Sequence, residues 1–158
     1  MEKLVEAFRT AIEIERRGQV MYLNAADRIR EIVANTVLLE LANDETEHEL
    51  MINSYYHALQ THQGWPAITN EDRPLDLPDR VKEMLEKTTS ELKLSDTYLE
   101  IYDTALDYEM ESRDFYLSQS NVADDRRLIE FFKFLARVES THAKALDMLV
   151  NEGEERQV

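Results

Sequence analysis

LANDETEH (residues 41–48) and LARVESTH (residues 135–142) read as two copies of one pattern, Leu-Ala-x-x-Glu-x-x-His, set 94 residues apart. A second pair of segments keeps the same offset: AIEIERRGQVMY (residues 11–22) aligns with ALDYEMESRDFY (residues 105–116), with Ala, Glu and Tyr at matching places. Two segment pairs with one shared offset mean that the chain carries a duplicated unit, each copy holding two helical segments.

The helical reading follows from the rows that seven-residue steps draw along each segment. One row of the first segment is Phe8, Glu15, Tyr22, Ile29, beside Leu4, Ala11, Gly18, Ala25. The second segment gives Leu38, Glu45, Ile52, Leu59 beside Leu41, His48, Tyr55. Its counterparts are Tyr102, Glu109, Tyr116 beside Tyr98, Ala105, Ser112, and Phe132, Glu139, Leu146 beside Leu128, Leu135, His142, Leu149. The rows predict four long helices at about Glu2 to Arg28, Glu31 to Leu59, Ser95 to Gln119 and Asp124 to Val150. Ser95 and Asp96 read as a helix cap and residues 121–125 as a turn. Between the second and third helices lies a long connection with Gly64, Pro66, Pro74 and Pro78, followed by VKEMLEK, which suits a short extra helix. Only three glycines and three prolines occur, and two of the glycines are expected outside the long helices. The expected fold is all-α: one domain over residues 1–158, a four-helix bundle of two hairpins (about 2–60 and 95–150) joined by a crossover (about 61–94).

Those apolar rows hold Glu15, Glu45, Glu109 and Glu139, and no lysine or arginine. Four ionised carboxylates in one core would each cost about several kcal/mol, more than a domain stable by about 5–15 kcal/mol can absorb without compensation. Two divalent cations with neutral imidazoles balance that charge.

Level geometry supports the same conclusion. The midpoint of Glu15 and Glu45 is residue 30, and that of Glu109 and Glu139 is residue 124, both at predicted turns. Each carboxylate therefore lies about fifteen residues, or roughly 22 Å, from its turn, near mid-bundle. Positions i and i+3 share a helix face, so Glu45 with His48, and Glu139 with His142, can each serve one ion. Two such pairs plus one inward Glu from each remaining helix is the arrangement of carboxylate-bridged two-metal bundles. Oxygen donors with two imidazoles suit iron or manganese, and zinc fits the same donors.

Cysteine is absent, which excludes disulfides, iron–sulfur clusters and thiolate zinc sites. A formal net charge of −15 repels phosphate backbones and anionic membranes, so neither nucleic acid nor a membrane is an expected partner. No apolar run of membrane-spanning length occurs and MEKLVEAFRT lacks the features of a signal peptide, so a cytoplasmic location is expected.

AIEIERRGQVMYLNAA and LLELANDETEH resemble the first and second helices of the ferritin-like superfamily, and within it the rubrerythrin-like proteins. The resemblance covers about Val5 to Leu149 and implies a ferritin-like bundle with Glu15, Glu45, His48, Glu109, Glu139 and His142 as ligands of two irons, Glu45 and Glu139 bridging. It also implies oxidation of Fe(II) by dioxygen or hydrogen peroxide, and homodimers. Without cysteines there is no rubredoxin-type iron site, so electrons must come from an external donor. Leu106 and Ser112 flank Glu109 where rubrerythrins carry an extra carboxylate, and Thr46 stands where bacterioferritin has its haem methionine, so no haem is expected.

Three functions are open on these residues. The first is an oxidoreductase of peroxidase or ferroxidase type that reacts its Fe(II) centre with peroxide or dioxygen; the second is an iron oxidation, storage or delivery protein; the third is a bundle that metal merely stabilises. Tyr22 and Tyr116, seven residues after Glu15 and Glu109, are placed to hydrogen-bond ligand carboxylates. His57 and His62 have no repeat counterpart and read as surface or packing residues, Trp65 as a cover on the bundle end, and EGEERQV as a solvated tail without a role.

Overall fold

The computed structural model describes residues 2–68, 74–88 and 95–155, with the backbone alone for Pro74 and residues 153–155. Five α-helices follow one another: α1 (Glu2–Arg28), α2 (Ile32–Thr61), α3 (Leu77–Lys87), α4 (Asp96–Val122) and α5 (Arg126–Glu155), with a 3-10 turn at Pro74–Asp76. No strand occurs among the described residues.

The helix ends have local causes. The Glu31 carboxylate accepts from the Val33 and Ala34 amides and caps α2, while Ser95 caps α4 by accepting from Tyr98 N. Asp125 Oδ1 does the same for α5, taking the Arg127 and Leu128 amides. The α1–α2 turn is tied by Asn35, whose amide donates to the carbonyls of Ala26 and Ile29. His62 ends α2 with φ 53°, the left-handed conformation that stops a helix; it and His57 are exposed. Two expectations need correction. α5 continues to Glu155, so the described part of EGEERQV is helical and Gly153 lies inside a helix; its flanking glutamates are good helix formers and one glycine costs only about 1 kcal/mol. The predicted short helix begins earlier, at Leu77, because Pro78 suits a first turn whose amides lack helical partners.

α1 packs along α2 and α4 along α5, and the two hairpins meet through α1 against α4 and α2 against α5. Two apolar clusters fill the interior. One joins Ile29, Val33, Val37 and Leu41 around the first turn to Tyr102 at the start of α4 and Leu146 and Leu149 late in α5. The other joins Phe8 and Tyr55 to Leu128, Phe131 and Phe132. Since the starts of α2 and α4 share one end, those helices run parallel. The crossover climbs the bundle: Trp65 and Leu75 lie with the second cluster, whereas Leu77, Val81 and Leu85 lie with the first. Trp65 stacks on Tyr55 at 5.8 Å between ring centroids, covering that end as expected. No helix among the described residues is long and apolar enough to cross a membrane.

Candidate metal centre

Between the apolar clusters sits a polar one. Glu15 on α1, Glu45 and His48 on α2, Glu109 on α4, and Glu139 and His142 on α5 are all buried and all point inward. They form two overlapping groups, Glu15, Glu45, His48, Glu139 and Glu45, Glu109, Glu139, His142, whose donor atoms lie within 4.8 Å of one another. Donors on opposite sides of one ion span about 4.4 Å, so each group is near the size of a coordination shell. Glu45 and Glu139 belong to both groups. All six candidate residues are thus brought together, at mid-bundle, where the turn midpoints placed them.

Each imidazole faces the carboxylates with Nδ1. His48 Nδ1 lies 3.2 Å from Glu15 Oε2 and 3.8 Å from Glu139 Oε1. His142 Nδ1 lies 3.1 Å from Glu45 Oε1 and 3.5 Å from Glu109 Oε2. The rings stack at 5.4 Å between centroids. Among the described residues, Glu45 Oε1, Glu109 Oε2, Glu139 Oε1 and His142 Nδ1 are buried with no hydrogen-bond partner. An unsatisfied buried group costs about 1–3 kcal/mol, so four facing one another fit a centre built to surround cations.

Burial and the neighbouring charges shift the protonation of these groups in opposite directions. Burial pushes the Glu45 carboxyl well above its usual range, and the Glu15 charge adds to it; burial, then Glu109, does the same for Glu139. Burial also opposes ionisation of Glu15 and Glu109, but His48 beside the first and His142 beside the second outweigh it and hold both below the usual range. Burial disfavours the His142 imidazolium, yet the Glu109 charge and the nearby Asp44 and Glu45 carboxylates raise its pKa well above the ordinary value.

The two tyrosines bond across the hairpins. Tyr22 donates to Glu109 Oε1 and Tyr116 donates to Glu15 Oε1, each reaching the carboxylate of the opposite hairpin and not that of its own helix. Burial, then the facing carboxylate, pushes both phenols well above 10.0, so they stay donors. Removing either hydroxyl, Tyr22→Phe or Tyr116→Phe, strands a buried carboxylate oxygen and is expected to lower stability by about 1–3 kcal/mol, measured by urea unfolding of the metal-free protein. Near-equal losses are expected, since the repeat makes the two bonds equivalent.

Sequence reasoning missed Gly18 and Asp44. A Cβ on Gly18 would lie 3.1 Å from both Cδ and Oε2 of Glu45, so α1 presents bare backbone there to admit the carboxylate. Gly18→Ala should leave the fold stable, because alanine gains about 1 kcal/mol of helix propensity. It should weaken metal retention about tenfold in a competition with a chelator by displacing Glu45. Gly18 stood on the apolar row, but its contact lies on another helix. Asp44, directly before Glu45, has its Oδ2 3.5 Å from His142 Nε2. Its signal was its place three residues after Leu41, at the margin of the buried stripe.

A family model described as rubrerythrin matches residues 6–149. No curated protein and no solved structure matches the chain.

Proposed function

The chain belongs to the rubrerythrin family, and on that premise we propose that it is a di-iron carboxylate oxidoreductase that reduces hydrogen peroxide or dioxygen with electrons from a separate carrier. The observation that carries the reading is the pair of overlapping donor groups sharing Glu45 and Glu139, with inward atoms left unpartnered. Glu15 and His48 would hold one ion, Glu109 and His142 the other, and Glu45 and Glu139 would bridge them. Two irons held there, going from +2 to +3, would supply the two electrons that, with two protons, convert one hydrogen peroxide to two waters.

The remaining work belongs to the protein. Tyr22 and Tyr116 fix the carboxylates of Glu109 and Glu15 by accepting none of their charge and donating one hydrogen bond each. The apolar clusters above and below keep bulk water from the carboxylates and so favour their neutralisation by cations. Tyr108, beside Glu109, donates to the carbonyl of Ile14, beside Glu15, and clamps α4 to α1 at the level of the centre. A chain without cysteine holds no thiolate relay of its own, so the electron donor is external.

The test mixes the anaerobic Fe(II)-loaded protein with one equivalent of hydrogen peroxide or with air-saturated buffer and follows near-ultraviolet absorption. Fast oxidation of about two irons per chain, reversed by a reductant and repeatable, is expected. Slow oxidation by air with uptake of many irons per chain would point to storage, and metal uptake without redox change would reduce the centre to a structural one.

A further inference from the structure

The internal repeat makes His48 and His142 equivalent, and their inward sides match: each turns Nδ1 to carboxylate oxygens at 3.1–3.2 Å. Their outward sides differ. His142 Nε2 faces Asp44 Oδ2 at 3.5 Å, and the Asp44 side chain is only 7% exposed. Both Nε2 atoms are buried and make no hydrogen bond among the described residues, but no carboxylate there stands within ion-pair reach of His48 Nε2. The cause is in the sequence, because the position 94 residues after Asp44 is Val138, an apolar and buried side chain. The duplicated unit has thus kept its six inward donors and diverged at the residue that stands behind one imidazole.

From this we infer that Asp44 makes the two metal positions unequal, so that the one holding His142 binds more tightly and fills first. The inference rests on reading the six side chains as two metal positions. An imidazole that binds a cation through one nitrogen must carry its remaining proton on the other. On His142 that proton faces a carboxylate oxygen 3.5 Å away, whose charge favours the tautomer with Nδ1 free to donate its lone pair and raises the basicity of the ring. On His48 no carboxylate among the described residues stands behind the same proton, so the binding tautomer gains no such support. Outer carboxylates of this kind change metal affinity by about 10–100-fold. Asp44 is a positioning residue: it touches no reacting atom and acts through His142.

The test is an anaerobic titration of the metal-free protein with Co(II), followed by calorimetry and by visible absorption. The natural chain is expected to bind two Co(II) in two resolved steps about 10–100-fold apart. Asp44→Val, which gives the first hairpin the residue found in the second, is expected to weaken the tighter step by that factor and leave the weaker one in place, so that the steps merge. Asp44→Asn keeps the shape and an acceptor oxygen and should fall between, which guards against a valine variant that fails to fold. Two steps of equal affinity in the natural chain, or an Asp44→Val variant that weakens both steps alike, would overturn the inference while leaving the metal centre standing. No Co(II) uptake at any concentration would overturn both.

Discussion

Glu45→Gln is expected to cost about a hundredfold or more in metal affinity at both positions while leaving the metal-free protein as stable as before, or more so. The two halves of this result have one cause. Glu45 belongs to both donor groups, so its loss removes a donor from each ion; even an outer partner, which touches no ion, is worth about 10–100-fold. In the metal-free chain, burial and the Glu15 charge disfavour the ionised Glu45 carboxylate, so the fold must carry that group protonated above the pH where water would ionise it. Glutamine has the same shape and no charge to suppress. Its thermal midpoint at pH 8 should therefore match or exceed that of the natural metal-free chain, by up to about 1–2 kcal/mol, or a few degrees for a chain of this size. If the substitution instead cost about 3–5 kcal/mol without metal, Glu45 would be one partner of a structural ion pair, and its contacts would need a different explanation.

The metal-free protein should lose stability as pH rises from about 6 to 9, and metal should remove that loss. Three groups set the sign. Glu45 and Glu139 have raised pKa values, so above about 4.5 the unfolded chain gives up protons that the folded chain retains, and stability falls until the folded pKa is passed. His142 is also raised: its contribution is complete below about 6.5 and is lost as pH climbs toward the folded value. Glu15 and Glu109 act oppositely, but in acid, since their lowered values contribute stability above about 4.5 that disappears below it. Cations displace the protons, so binding tightens with pH and releases acid to the solvent. At free metal a thousand times its Kd the gain is about 4 kcal/mol, or about 8–16 °C in midpoint. Calorimetric melts at pH 6, 7.5 and 9, with and without Mn(II), read both effects. A metal-free midpoint that rises with pH would show that the four carboxylates are satisfied by something other than protons and cations.

What could be read from the chain was periodic. Seven-residue rows placed Glu15, Glu45, Glu109 and Glu139 on buried stripes, and the 94-residue offset paired the hairpins, because burial on a helix repeats with sequence distance. The starts of α2 and α4 were legible, at the Glu31 and Ser95 that cap them. The end of α5 was misplaced because one glycine among glutamates looks like a stop and is only a weak cost. Between helices, the turn midpoints gave the common level of the carboxylates but not which side chain meets which. That Tyr22 serves Glu109 and Tyr116 serves Glu15, that Gly18 yields space to Glu45, and that Asp44 stands behind His142 all depend on side chains brought together from different helices. No spacing along one helix encodes them.

The most direct measurement is the metal content of the protein purified without a chelating tag and then loaded anaerobically with Fe(II). About two irons per chain in the natural sequence, and a clear loss in a Glu45→Gln, Glu139→Gln double variant that still folds, is the expected result. An iron content at background in both proteins, after loading, would contradict the account at its centre: the six buried side chains would then be held by protons alone.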